Sequence, residues 1–366
     1  MTVFEVNETD FPDLDSFNQS LSSLDSDELN TDLYLVVGFS HLSEREVSEL
    51  LRRRGYSLTD LGAVDKIGKT YTNGSSSDDE TENVAEYYFH YDEETGLMLF
   101  YTDMRKTEEI ESTVLPMLEN EPDVHYLHVS PRVFQSLRDK IENETHAEIP
   151  AFVADRSEES DFPARIRGEY KRTIQYDGAD GIKTLTEMET NYGVRPRNIT
   201  FEITNKAKFR VTRKGVFAYS SGNMSRFFEY VQTAVNKALE VKRAFDASSF
   251  EMVSTTESLS VPTSEPTTIH LDHTLEYNEV GAIESRLEDE GYLVVDSFAQ
   301  EGSVYFTSKI IDIKKDNKFR VEATEDTIHV FPQETEDNVG SFLRFYEFVE
   351  TNIDPNSTVS TAEAEG

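Results

Sequence analysis

Two short sequences, each present twice and in the same order, restrict what this chain can fold into more than any other feature. KFRV at 208–211 precedes RFFEYVQT at 226–233, and KFRV at 318–321 precedes RFYEFVET at 344–351. In the longer box five of eight positions are identical, and the others exchange Phe for Tyr, Tyr for Phe and Gln for Glu. Such a recurrence marks an internal duplication, so the fold should be assembled from repeated supersecondary units.

The boxes differ in period. Around the first KFRV the residues alternate, so Phe209 and Val211 should face a core while Lys206, Lys208, Arg210, Thr212 and Lys214 line the opposite side of the pleat. In RFFEYVQT the apolar positions Phe227, Tyr230, Val231 and Ala234 fall at helical spacing. Phe345, Phe348 and Val349 take the first three places in the copy, with Ile353 one residue past the fourth. Arg226 with Glu229, and Arg344 with Glu347, are placed to pair one helical turn apart. The aromatic box is therefore a packing helix, and the strand is the more informative partner.

The rest of the chain repeats the scheme of strand, helix ending in Gly, three or four antiparallel strands, then helix. LYLVVGF at 33–39 reads as a buried strand, and Ser43 with Glu46 as a capping box opening the next helix. EYYFHYD at 86–92 and GLMLFYTD at 96–103 read as a hairpin, with Pro116 ending or kinking a helix near 107–118. A strand at 125–129 and a helix at 132–143 lack a counterpart in the later copies. The resulting expectation is an α+β protein of three related modules, each an antiparallel sheet with helices on one face. A flexible acidic tail (1–30) precedes the first module (31–145), and a linker (146–164) leads to a basic middle module (165–246). A Ser/Thr/Pro-rich linker (247–268) then leads to an acidic third module (269–352) and a disordered tail (353–366). In order of elements, though in no motif, this resembles the saddle-shaped domains of TATA-binding-like proteins, a likeness of fold that implies no function.

Charge separates the duplicated units. The chain has 71 acidic and 35 basic residues, a net of −36, as expected of a surface kept hydrated in molar intracellular salt. Residues 165–243 run against that trend, with 16 basic and 8 acidic residues, a net of +8. Residues 269–352 carry 7 basic and 19 acidic, a net of −12, so the two copies differ by 20 charges. Salt adaptation does not produce a basic island. The candidate anion-binding residues are Lys206, Lys208, Arg210, Arg213 and Lys214, with Arg195 and Arg197 close in sequence. Tyr170, Phe217 and Tyr219 nearby offer base stacking to a nucleic acid. Two other readings fit the same charges: cover by acidic parts of the same chain, or docking of an acidic protein on a scaffold or regulatory subunit.

Few residues in the chain carry recognisable chemistry. The absence of Cys excludes disulfides, thiolate zinc sites and Cys nucleophiles. No phosphate-binding glycine loop, HExxH or GxSxG occurs. His125 with His128, and His270 with His273, lie three apart on expected strands and so point to opposite faces. Asp177 and Asp180 miss the spacing of a calcium loop and suit a turn. No cofactor or metal is expected, and a metal-dependent hydrolase ranks third among the functions. With no leader and no run of about 20 apolar residues, a cytoplasmic location off the membrane is expected.

Overall fold

The computed structural model describes residues 3–6, 10–24, 29, 32–72, 82–104, 109–143, 147–156, 172–256, 259–300, 305–333 and 339–361. It is a mixed α+β fold built on antiparallel ladders. Two compact units divide it: 1–38, 43–116 and 126–235 form the first, and 39–42, 117–125 and 236–366 the second. The acidic loop at 73–81, the outer parts of the 146–164 linker and Tyr170 lie outside the described residues.

In the first half of the chain β1 (Leu33–Ser40) is buried along its whole length, as its continuous apolar run requires. Helix α2 (Glu44–Arg53) opens on the expected capping box, with the Ser43 hydroxyl and Glu46 carboxylate each accepting from the other's backbone N–H. Strands β2 (Tyr56–Asp60), β3 (Asp65–Thr72), β4 (Glu82–Asp92) and β5 (Leu97–Thr102) form a meander, and the sheet order β2-β3-β4-β5-β1 brings the first strand beside the last. Helix α3 (Val114–Asn120) holds Pro116 in its first turn, where a missing N–H removes no helical bond, so the proline neither ends nor kinks it.

The same sheet continues through β11 (Val216–Gly222), β10 (Ala207–Thr212), β9 (Val194–Ile203), β7 (Ala147–Arg156) and β8 (Arg172–Asp177). Here β7 occupies residues read from sequence as linker. Its buried Ile149, Phe152 and Ala154 hold it to β9, a pattern that its acidic and Pro residues hide. The strand and helix that lacked a counterpart also find a place: β6 (Val124–Tyr126) pairs with β1, and α4 (Pro131–Glu142) packs on β9. Lys140 on α4 reaches Thr233 Oγ1 (2.7 Å) on α6 (Met224–Asp246). Those two elements thus lie with the KFRV strand of the middle region.

The N-terminal residues behave differently from a tail. Asp13 caps α1 (Leu14–Ser22) by accepting from Ser16 N–H at 2.7 Å. Phe17 then packs against Tyr88 and Tyr101 with ring centroids 5.3 and 5.1 Å apart. Phe4 and Phe11 are also buried. Acidic composition concealed three aromatic knobs that suffice to dock a short helix.

Helix α5 (Gly181–Tyr192) ends on Gly193 at φ 60, as its sequence indicates. At its other end a Cβ on Gly181 would run into the Ile149 carbonyl oxygen of β7. Gly181→Ala is therefore expected to cost about 1–3 kcal/mol, read as a fall in thermal midpoint. Gly55→Ala makes the contrast: that position meets no neighbour, and only its φ of +82 opposes a side chain.

In the second unit, β14 (Thr267–His270), α7 (Tyr277–Asp289), β15 (Tyr292–Ala299), β16 (Phe306–Asp312), β17 (Asn317–Ala323), β18 (Thr327–Pro332) and α8 (Val339–Asn352) follow one another. Their order β15-β16-β17-β18-β14 repeats that of β2-β3-β4-β5-β1. The expected tail contributes β19 (Thr358–Thr361), which pairs with β14. The Ser/Thr/Pro-rich segment forms a hairpin of β12 (Ser249–Thr256) and β13 (Leu259–Glu265), because its Thr and Val suit extended backbone and a two-stranded ribbon tolerates Pro262.

The duplicated boxes occupy matching places. KFRV lies on β10 between β9 and β11, and on β17 between β16 and β18. Phe209 packs on Phe227 and Tyr230 of α6, as Phe319 packs on Phe342 and Phe345 of α8. The arginines of the helix boxes part company. Arg226 pairs with Glu229 at 2.6 Å on an exposed surface, as expected. Arg344 turns inward to Asp312 and the Glu290 carbonyl, and Glu347 instead faces His125 at 3.5 Å. A buried carboxylate from another strand outcompetes the neighbour on the helix.

Candidate anion-binding face

Phe209 and Val211 are buried under α6, and Lys208 and Arg210 lie on the opposite side of β10, as alternation requires. Lys206 and Lys214 do not lie on that face. They sit in the turns at the two ends of the strand, next to Asn205 (φ 59) and Gly215 (φ 64). Eight residues of extended chain separate them by about 27 Å. No single small anion touches both.

The face is mixed rather than uniformly basic. Lys208 Nζ is 2.8 Å from Glu202 on β9, directly across the ladder. Glu148 of β7 lies opposite Glu202 in turn. Arg210 hydrogen-bonds the Tyr34 phenol, which is raised above its usual pKa by burial first and by the Asp32 carboxylate second, with Arg210 opposing both. Alternation located the cations on this face but carried no information about which strand would lie beside them.

Charge accumulates instead at one end of the sheet. Arg213 N–H donates to the Arg197 carbonyl at 2.7 Å, bringing the end of β10 against the start of β9. Asp155 and Arg156 of β7 stand opposite Arg195 and Val194, and Arg156 stands opposite Arg172 of β8. A register shift between Val153 and Ala154 bulges β9 near Arg197, re-aiming that side chain so that Nε lies 3.4 Å from Asp155 Oδ2. The sheet end thus carries Arg195, Arg197, Arg213, Lys214 and the exposed Arg172, whereas Arg156 is buried, in the Arg172–Arg156–Val194 row that faces away from Asp155. These cations span four adjacent strands, roughly 15 Å. Asp155 lies among them, also accepting from Thr173 Oγ1 at 2.8 Å.

Arg156 and Arg172 were not among the residues singled out by sequence, because β7 was not recognised as a strand. The stacking residues do not serve. Phe217 and Tyr219 are buried on the helix side, with the Tyr219 hydroxyl donating to the Gly222 carbonyl, and Tyr170 is outside the described residues.

Only the first histidine of each pair lies on a strand, His125 on β6 and His270 on β14, with His128 and His273 in the segments that follow. His125 is buried near Glu347, whereas His270 Nε2 is 2.7 Å from Ser360 Oγ and His273 lies 3.6 Å from Asp354. Among the described residues no group of three or more His, Cys, Asp or Glu side chains is placed to hold a metal ion. Asp180 accepts from the Tyr176 hydroxyl, which holds its carboxyl below the usual value. None of the helices described is long and apolar enough to cross a membrane.

Comparison with known proteins adds a location more than a role. A protein-family model described as a family middle domain matches residues 133–214, which run from α4 through β10 and contain every candidate anion-binding residue named from the sequence. An uncharacterized protein of Archaeoglobus fulgidus is 24% identical over 275 residues, covering 71% of this chain and 73% of its own.

Proposed function

We propose that this is a non-enzymatic binding protein of a salt-adapted cytoplasm whose middle module contacts a nucleic acid or another polyanion. Contact runs along Lys206, Lys208, Arg210 and Lys214 and across the sheet end at Arg195, Arg197 and Arg213. One observation carries the reading: Arg195, Arg197, Arg213 and Lys214 gather at one end of the sheet beside Asp155, in a chain of net charge −36. The module boundaries belong to the same reading. The repeated order of β1–β5 and β14–β18 supports a first and a third module, with the middle one closing on α6.

The length of the cationic track favours an extended ligand over a small one. Burial of Phe217 and Tyr219 favours contact with phosphates over reading of bases. At high salt, counterion release contributes little, so direct arginine forks on phosphate oxygens must supply the affinity.

Replacing Lys208, Arg210 and Lys214 together by Glu is expected to lower affinity for duplex and single strands at least about tenfold. The slope of log affinity against log salt should also fall, by about 0.7–0.9 for each phosphate no longer neutralised. Unchanged affinity and slope would remove β10 and the turn that follows it from the contact. In a pull-down treated with nuclease, an acidic protein that stays bound, with no nucleic acid recovered, would select the scaffold reading instead.

A further inference from the structure

The second copy of KFRV lies in an acidic region, yet its cations are not scattered. Of the seven Lys and Arg in residues 269–352, three are committed to holding the fold. Arg286 donates to the Asn352 carbonyl, Lys315 to three carbonyls, and Arg344 to Asp312. Lys314 is exposed in the turn after β16. The remaining three, Lys309, Lys318 and Arg320, share one face of the six-stranded sheet, opposite the face covered by α8.

Their placement is unusual for residues with only a solubility role. Val295, Lys309, Arg320 and Phe331 form one row across β15, β16, β17 and β18, so Lys309 and Arg320 stand directly opposite each other. Like charges in that relation repel. Among the described residues no carboxylate pairs with Lys309, and Glu322 lies 3.4 Å from Arg320 along the same strand. Arg320 is also held in place: its guanidinium lies 4.4 Å from the centre of the Phe331 ring. Stacking fixes the plane of the fork, whose in-plane N–H donors an oxyanion would share with Glu322.

Apolar surface flanks these cations. Leu293 and Ile311 form the neighbouring row with Lys318, and Leu293 and Phe298 on β15 are 45% and 57% exposed. A stacked arginine and an opposed lysine beside exposed apolar and aromatic side chains match a ligand that alternates phosphates with flat, stackable bases. An acidic peptide offers the charge without that stacking surface.

We propose that this sheet face is a second binding surface, for single-stranded nucleic acid, centred on Lys309 and Arg320. It does not depend on the middle module: its cations, its Arg–Phe stack and its exposed apolar rim are its own. The KFRV motif would then have been kept twice for the same reason, with Phe and Val in the core and Lys and Arg toward the ligand.

The test uses the full chain with Lys309→Gln and Arg320→Gln, in the native background and in one where Lys208, Arg210 and Lys214 are already Glu. Anisotropy of a labelled single-stranded oligonucleotide is followed across a potassium chloride series. Removing two opposed like charges should leave the thermal midpoint unchanged or raised, which guards against misfolding. The expected result is residual binding in the altered middle-module background that falls about tenfold or more on adding the Gln pair. Absence of residual binding there, or residual binding indifferent to Lys309 and Arg320, overturns the proposal. So does a labelled poly-glutamate that binds this face in place of the oligonucleotide. Weakened binding by the Gln pair with no effect of the middle-module changes would uphold this surface and refute the other.

Discussion

Arg344→Met is expected to lower the stability of the second unit by about 3 kcal/mol, the scale on which buried ion pairs fail when one partner is removed. Asp312 is fully buried, and Arg344 is its only cationic hydrogen-bond donor among the described residues. The Ser341 hydroxyl and the backbone N–H of Lys314 and Lys315 would still donate, at 3.0, 3.0 and 3.2 Å. Those bonds place the effect at the low end of the range for buried pairs. Met keeps much of the side-chain volume but loses the stack on Tyr292, where the guanidinium now lies 4.2 Å from the ring centre. Urea unfolding followed through the second unit would read the change. A compensating Asp312→Leu in the same chain should recover part of it, because the buried carboxylate that lost its arginine is then gone as well. Arg226→Met is the control: the same residue in the duplicated box sits in an exposed pair, worth about 0.2–0.5 kcal/mol.

Lys315 gives the second large effect. Its buried ammonium donates to the carbonyls of Leu118, Glu121 and Val124 at 2.9, 2.8 and 2.7 Å, tying off carbonyls at and beyond the C-terminus of α3. Lys315→Met strands three buried acceptors, and a loss of about 3 kcal/mol or more is expected. The lysine also links stability to pH. Burial pushes it down to about 7, against an upward pull from Asp312. Between about pH 7 and the ordinary lysine value the unfolded chain therefore holds a proton that the folded chain has released. Stability contributed by this group consequently rises with pH across that window, by up to about 1.4 kcal/mol per unit, and is flat below it. Unfolding measured from pH 6 to 10, in the native chain and in Lys315→Met, would show that slope only in the native chain. Equal slopes would mean that Lys315 keeps its proton when buried.

Local features were legible because their causes are local. The capping box at Ser43, the αL stop at Gly193 and the apolar stripe of Phe227, Tyr230, Val231 and Ala234 depend on residues within two turns of each other. What was missed depended on distant partners. Strand β7 is recognisable only once β9 lies beside it, and α1 only once Tyr88 and Tyr101 present a surface for Phe17. The candidate site divides along the same line. Alternation set the side of β10 that Lys208 and Arg210 occupy, but Glu202 opposite Lys208 followed from strand pairing. So did the meeting of Arg213 with Arg197, and of Arg195 with Asp155, at one end of the sheet.

The duplication shows the division most clearly. By itself the sequence determined that KFRV is a strand with Phe and Val inward and that the aromatic octapeptide packs upon it, because both follow from periodicities of two and 3.6 residues. It also determined that the two copies differ by 20 charges. Tertiary structure alone decided what identical residues do. Arg226 remains at the surface and Arg344 enters a buried pair with Asp312; across the ladder Lys208 faces Glu202 where Lys318 faces Ile311, and Arg210 faces Thr200 where Arg320 faces Lys309. Side-chain orientation is fixed by a residue's immediate neighbours in sequence, whereas its partner is fixed by which distant strand the fold places alongside.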